Sequence, residues 1–395
     1  MLVPMSKKIY KKKYVEQDVY SAALERIKYL YSVYDDVVVS FSGGKDSTAL
    51  LLCVLKVAEN LNRLPVTAIF YDEEAIHPPT IEYVERVSKD PRVNLEWYCI
   101  PIKHRNACSN KQPYWYCWHP EEKEKWVRDM PEQAITEHDR FKFGQSMQDF
   151  GVAHFKNTNK VVVQGIRTEE SLRRYRVVAR KKEENYIVKA EKGVFFAFPI
   201  YDWSSKDVWK LVSIEDADYN RTYDIFNKTE WYEHLLQQRV CPPYGEEPLR
   251  GLWVYAECFP EMWEKMINRV PGAATAARYG NTELYSSGYK PDQTSWRDHV
   301  QSVLEQYEGV NRSAVTKNIN RAINRHKERT SDPIPETSAH PVSGVSWQFL
   351  SKMVTRGDFK GRTAQQLAKQ AENACIKLGI TQEEAKRKYG HKNDT

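Results

Sequence analysis

The chain has 395 residues, 41% hydrophobic and 28% charged, with a formal net charge of +6. That composition fits a soluble globular protein of two domains, or of one α/β domain with a large addition, and excludes wholesale disorder. No apolar run approaches the roughly 20 residues a membrane span needs, and the lysines of Met1–Lys13 have no apolar stretch behind them, so a cytoplasmic protein with no secretory signal and no membrane partner is expected.

Glu16–Tyr34 reads as a helix, because Ala23, Ile27, Leu30 and Tyr31 share a face at i, i+4, i+7 and i+8. The β-branched run 36–40 reads as a buried strand, and 41–46 as a turn. A helix over Ser47–Leu61, a strand over Pro65–Tyr71, a helix over Pro79–Lys89 and a strand over Asn94–Ile100 follow. This alternation with short connections predicts a parallel sheet with right-handed crossovers. Residues 103–147, which include Tyr114-Trp-Tyr-Cys-Trp118, break the rhythm as a long insertion or cover. The sheet resumes at Lys160–Gln164 and again at Phe195–Ile200, before a helix capped by Ser204. The expected fold is therefore a five-stranded, mainly parallel sheet with helices on both faces. From about Tyr219 the pattern is helical and irregular, 331–341 reads as a linker, and a small basic helical segment ends the chain. The implied division is 16–218 (with its insertion 103–147), 219–330 and 341–395.

Charge is unevenly spread. Residues 1–13 hold five lysines and no acid, 311–395 hold 16 basic and 8 acidic side chains, and 14–310 hold 38 basic and 45 acidic. Lys317, Arg321 and Arg325, spaced by four, share a helix face close to Lys327 and Arg329. Such a stripe serves a nucleic acid or a polyanionic partner protein, or is simply a solvated face. The seven cysteines are odd in number and include no C-x-x-C pair, which supports neither a disulfide framework nor a zinc ribbon.

Ser42-Gly-Gly-Lys-Asp-Ser47 carries the most chemistry. Placed between a strand and a helix, its glycines let the backbone approach a phosphate, and the helix start offers amides and a positive dipole end. Lys45 adds a point charge and Ser42 and Ser47 add hydroxyls, while Asp46 holds the turn or meets a magnesium ion. The spacing is not that of a Walker loop. Arg167 after Gly165 stands at a strand end on the same edge, suited to a phosphate or sulfate, or else to pairing with Glu169 or Glu170. His77, after Asp72-Glu-Glu74, is either part of a metal cluster or of a solvated loop. Cys117, between Trp115 and Trp118, and Cys241, near Arg239, are either low-pKa thiolates or small buried side chains.

The Ser42–Ser47 hexapeptide resembles the pyrophosphate-binding loop of the ATP pyrophosphatase superfamily, with its adenine nucleotide alpha hydrolase-like fold. Phe70-Tyr-Asp72, Gly165-Ile-Arg-Thr-Glu-Glu-Ser171 with Arg174, and Pro199-Ile-Tyr-Asp-Trp203 with Asp207-Val-Trp209 are similar to stretches of phosphoadenosine phosphosulfate (PAPS) reductase-like proteins. Residues 220–370, Trp-x-Cys-Trp118, Cys241-x-Pro-Tyr-Gly245 and Gly251-Leu-Trp253 resemble a branch with an uncharacterised C-terminal domain. The chain lacks the terminal Glu-Cys-Gly of sulfonucleotide reductases and the cysteine pairs of their iron–sulfur members. The resemblance implies an enzyme that binds ATP (or PAPS) with Mg²⁺ and without an iron–sulfur cluster. It would cleave ATP between the α- and β-phosphates to adenylylate an unknown acceptor, with sulfur transfer as a coupled step. The alternatives are a sulfonucleotide reductase and a non-catalytic nucleotide-binding regulator. The implied nucleotide contacts are Ser40, Ser42, Gly43, Gly44, Lys45, Asp46, Ser47, Asp72, Gly165, Arg167, Glu170 and Arg174. The implied catalytic groups are Lys45, Asp46, Arg167, Cys117 and Cys241, with Asp46 toward the metal. At least one of Cys117 and Cys241 is expected to be exposed to the pocket, and Cys53 and Cys99 to be buried in helix and strand.

Overall fold

A computed structural model of the protein describes residues 15–109, 112–179, 186–190, 193–229, 240, 244, 251–279, 294–305, 307, 309–355 and 366–391. The chain divides into two compact units, Met1–Lys103 with Tyr116–Pro242, and His104–Trp115 with Pro243–Thr395.

In the first unit, α1 (Val19–Val33) begins at Asp18, whose carboxylate accepts hydrogen bonds from the amides of Tyr20 and Ser21. The chain then alternates through β1 (Asp36–Ser40), α2 (Lys45–Asn60), β2 (Val66–Tyr71), α3 (Pro78–Ser88) and β3 (Val93–Tyr98). Helix α2 starts at Lys45, two residues before the sequence expectation, so Lys45 and Asp46 belong to its first turn. A short ribbon, most of it in the second unit, pairs β4 (Lys103–Arg105) with β5 (Tyr114–Tyr116). After α4 (Met147–His154), the chain rejoins the sheet as β6 (Lys160–Gln164). Then come α5 (Leu172–Ala179), β7 (Ile187–Lys189), β8 (Phe195–Ala197), α6 (Ser205–Ile214) and α7 (Thr222–Phe226).

The sheet order is β3-β2-β1-β6-β8-β7. Five strands run parallel, as expected; the sixth, β7, pairs antiparallel with β8 and was not foreseen. Three residues are too few to display an alternating pattern, and β7 stands at the edge, half exposed. In the middle, β1 and β6 each bury three consecutive valines. Val38 and Val162 pack on one face with Ile69, Tyr98 and Phe150. Val37, Val39, Val161 and Val163 point to the opposite face and are just as buried, so the sheet is covered on both sides.

The topology also locates a crevice. From β1 the chain steps outward through β2 and β3, then returns to place β6 on the other flank of β1. The loops leaving the carboxyl ends of β1 and β6 therefore diverge, which is where ligands bind in open α/β sheets.

The second unit is helical, with α8 (Gly251–Cys258), α9 (Pro260–Arg269), α10 (Ala273–Tyr279), α11 (Trp296–Glu305) and α12 (Gly309–Lys327). It continues through α13 (Trp347–Thr355), α14 (Leu367–Leu378) and α15 (Gln382–Tyr389). Val315, Ile319 and Ala322 of α12, at i, i+4 and i+7, join Leu304, Phe349, Leu350 and Met353 in one core. Residues 331–341, read as a linker, are built into this unit instead. His326 Nε2 lies 2.8 Å from the Asp332 carbonyl, His340 Nε2 lies 3.2 Å from an Asp332 carboxylate oxygen, and the Pro335 carbonyl accepts from the Trp347 amide. No helix among the described residues is long and apolar enough to cross a membrane.

Candidate functional site

Strand β1 ends at the half-buried Ser40, whose register partner is Gln164 at the end of β6. Beyond it Gly43 takes a φ of +69°, and a Cβ there would lie 3.0 Å from the Thr80 methyl. Glycine supplies both the backbone angle and the room. The turn is laced by hydroxyls. Ser42 Oγ lies 3.1 Å from Ser47 Oγ and accepts from the Gly44 amide at 3.4 Å. Ser47 Oγ in turn donates to the Gly44 carbonyl at 2.9 Å. The Lys45 amide, first of α2, donates to the Tyr223 hydroxyl at 2.9 Å. Gly44 gives the helix no side-chain cap, and the amides of Asp46 and Ser47 make no hydrogen bond among the described residues. Ser42 is exposed while Gly43, Gly44 and Lys45 are buried, so the loop presents its first serine outward from a tightly held backbone.

The loop after β6 presses against this turn. A Cβ on Gly165 would stand 2.8 Å from the Asp46 carbonyl carbon and 2.9 Å from the Ser47 nitrogen, so only glycine fits. This contact brings Arg167 onto Asp46. Arg167 Nε donates to Asp46 Oδ1 at 2.6 Å, and Lys45 Nζ donates to Asp46 Oδ2 at 3.2 Å. One carboxylate thus joins two cations. The rest of the Arg167 fork reaches Glu169 at 3.2 Å and Ser205 Oγ at 3.1 Å, and its side chain is only 3% exposed. Glu170 caps the Arg167 amide at 3.4 Å and pairs with Arg174. Arg167 is thus built into the wall of the crevice, with the glutamate pairing that the sequence offered beside ligand contact. Asp46 likewise has both oxygens engaged by cations. Burial pushes the Lys45 pKa down, opposed by the Asp46 charge and reinforced by Arg167.

Asp72 also lies deeper than its nucleotide-contact role requires. It is fully buried, accepting from the Glu74 amide and Trp97 Nε1, both at 2.8 Å, and paired with Arg128. Glu74, itself buried, accepts from the Trp118 amide at 2.7 Å. The 72–74 turn thus clamps the insertion onto the sheet.

Cys117 is fully buried, and Cys241, the other of the pair of which at least one was expected to be exposed, lies outside the described residues. The Cys117 amide donates to the Ile102 carbonyl, and the neighbouring Trp118 is buried too. Cys53 and Cys99 are buried as expected, and burial pushes the Cys53 thiol up to about 12.

Four site residues escaped the sequence reading. Asn220 donates to the Gly43 carbonyl at 2.9 Å and to Thr80 Oγ1 at 2.8 Å. Thr80 Oγ1 meets Thr222 at 3.1 Å, and Tyr223 caps Lys45. Asn220 accepting from the amide two residues on is a legible turn, but its partner 177 residues away is not.

His77 is buried before α3, its Nδ1 3.2 Å from the Val240 carbonyl and its ring edge-on to Phe226 at 5.3 Å. Burial pushes its pKa down to about 4, and His154 shifts likewise to about 4. The unfolded chain therefore takes these protons first. Their stabilisation is complete above the ordinary histidine pKa of about 6.5 and falls as pH drops through about 4. The urea midpoint of the first unit is expected to be lower at pH 5 than at pH 7, and His77→Gln should flatten that difference.

Residues 36–226 match the Phosphoadenosine phosphosulfate reductase domain, and residues 233–356 match a domain of unknown function, DUF3440. The uncharacterized protein YbdN of Escherichia coli is 27% identical over 367 residues, 87% of this chain and 89% of that protein. The adenosine 5'-phosphosulfate reductase of Lysinibacillus sphaericus is 24% identical over 240 residues, 60% of this chain and 88% of that protein. Among solved structures, PAPS reductase from Candida auris matches with a TM-score of 0.32 and 13% identity, over 55% of this chain and 96% of that one. Candida glabrata FMN adenylyltransferase in complex with ATP matches at 0.33 and 15%, over 54% and 62%.

The U34-tRNA thiolase NcsA of Methanococcus maripaludis, solved with its 4Fe-4S cluster, also matches, with a TM-score of 0.29 and 12% identity over 71% of this chain and 84% of that one. This overturns the cofactor expectation, which treated missing cysteine pairs as ruling such a cluster out. The described cysteines do not themselves fit one. No group of three or more His, Cys, Asp or Glu among the described residues is placed to hold a metal ion, and no step below is routed through a cluster. Residues 36–226 of this chain thus carry a sequence match to a phosphoadenosine phosphosulfate reductase domain, followed by a match to a second domain of unknown function.

Proposed function

We propose that the Ser42–Ser47 loop binds the phosphates of an adenine nucleotide, and that the chain is an enzyme that cleaves ATP between its α- and β-phosphates to adenylylate an acceptor. The observation that carries this reading is the loop itself. At the crevice between β1 and β6 it offers the uncapped amides of Asp46 and Ser47, the hydroxyl of the exposed Ser42, and the Lys45 ammonium at one helix start. An acceptor oxygen would attack the α-phosphorus as its bond to the bridging oxygen breaks, and pyrophosphate would leave with the electron pair. Lys45 and the amides would hold the charge that gathers on that leaving group. Asp46 would aim Lys45, and Arg167, through Asp46, would position the pair. Gly43 and Gly44 would allow the close approach, and Ser40, Gly165, Glu170 and Arg174 would frame the crevice. Asp72, buried beneath, would support it. The burial of Cys117 gives no support to a sulfur relay through that residue.

The domain match favours a second reading, in which the nucleotide is a sulfonucleotide such as PAPS. Calorimetric titration of the full chain with ATP and with PAPS separates the two: tighter binding of ATP, with pyrophosphate released from it, is expected. Lys45→Ala should weaken ATP binding by about 1.5–3 kcal/mol, roughly ten- to hundredfold, because a charged hydrogen bond to phosphate is lost. A chain that binds no adenine nucleotide, or a variant with wild-type affinity, would remove the site. Nucleotide binding without turnover would point to the regulator alternative.

A further inference from the structure

Helix α12 has one face in the core and another that no part of the nucleotide reading uses. Across Gly309–Lys327 it carries three arginines, two lysines and no acidic residue. Arg312, Ser313, Thr316, Lys317, Asn320, Arg321 and Asn324 line an open groove of about 660 Å³. Arg312, Ser313, Lys317, Asn320, Arg321 and Asn324 are exposed, whereas Val315, Ile319 and Ala322 on the other face are buried. Among the described residues, the side chains of Arg312, Lys317 and Arg321 form no ion pair and no hydrogen bond. The stripe differs from the one read in the sequence. Arg325 turns away to the Ser343 carbonyl and Arg329 toward the Val342 carbonyl, while Arg312 joins the groove from the edge opposite Arg321.

We propose that this face of α12 binds the phosphate backbone of a polynucleotide strand. At a rise of about 1.5 Å and a turn of about 100° per residue, Lys317 and Arg321 stand about 6 Å apart along the axis near one edge of the exposed face, and Arg312 stands at the opposite edge, so the cations flank the groove. Between the cations stand only hydroxyls and amides, which donate to phosphate and sugar oxygens irrespective of base. A face meant to be merely solvated would carry acids among its cations, as i,i+4 pairs; this one has none. An acidic protein surface would satisfy the charges but has no use for the regular polar donors between them. The groove therefore suits recognition that is electrostatic and independent of sequence.

The test is fluorescence anisotropy of the full chain with labelled single-stranded RNA and DNA of one mixed sequence, across a salt series. Three phosphate contacts predict a slope of log K on log salt of about −2. Lys317→Gln/Arg321→Gln should reduce the slope to about −0.7 and weaken binding roughly 25-fold near 0.1 M salt, as two released counterions imply. Lys386→Gln/Arg387→Gln removes the same charge from the exposed face of α15 and should leave binding within a factor of two or three. Both variants should keep the wild-type melting temperature, since neither pair touches a core. Binding of both strands that only the α12 variant weakens supports the proposal. It is overturned by a wild-type chain that binds neither strand, by equal losses in the two variants, or by displacement by polyglutamate as readily as by unlabelled strand.

Discussion

Arg167→Ala is expected to destabilise the first unit by about 2–4 kcal/mol, because it removes the buried common partner of a partly buried charge cluster and leaves Asp46 with Lys45 alone. Its guanidinium is the common partner of Asp46, Glu169 and Ser205. Without it, Asp46 keeps only Lys45, and the first turn of α2 loses its tie to the loop after β6. Arg167→Lys should restore only part of the loss, since an ammonium cannot span three acceptors as the planar fork does. Urea unfolding of the two variants measures the effect. A double-mutant cycle with Asp46→Ala should return a coupling of about 0.5–3 kcal/mol. A loss below about 1 kcal/mol, ordinary for an exposed pair, would mean that Arg167 is not a structural keystone of the crevice. The same experiment bears on function, because a wall residue moves stability and nucleotide affinity together, whereas a residue that only touches phosphate moves affinity alone.

The second large effect lies beneath the site. Arg128 pairs with the fully buried Asp72, donates to the Glu74 carbonyl at 3.0 Å and lies over the Trp118 ring at 4.8 Å. Arg128→Ala strands the Asp72 carboxylate in the interior and should cost about 3–5 kcal/mol. Adding Asp72→Asn to that variant should recover part of the loss, because the neutral amide needs no counter-charge, although its one oxygen keeps only one of the two donors, the Glu74 amide and Trp97 Nε1, that the carboxylate holds on separate oxygens. Tryptophan fluorescence during urea unfolding reports this directly, since Trp97 and Trp118 both touch Asp72. Failure of the second substitution to rescue the first would show that Arg128 acts through packing on Trp118, not through charge.

The elements that position the site were legible because each announces itself over a few adjacent residues. The valine runs of β1 and β6 and the hydroxyl-glycine-lysine turn between β1 and α2 are local patterns, and the structure puts each where the pattern does. The strand β7 escaped because three residues at a sheet edge carry no period. The DUF3440 region showed only as irregular helix, because its core is assembled from short helices far apart in the chain.

By itself, then, the sequence determined the parallel sheet, the place of the Ser42–Ser47 loop and the basic character of the last helices, since these depend on hydrophobic period and on residue type within a short window. Only the tertiary structure decided that Arg167 is a wall residue, that Asp72 and Cys117 are buried, that Asn220 and Tyr223 hold the loop, and that Arg312, not Arg325, lines the groove on α12. The physical reason is common to all of these. Which partner a charge or a hydroxyl finds is settled by groups tens to hundreds of residues away. A polar side chain that is short of water must take whichever of them the fold delivers within about 3 Å.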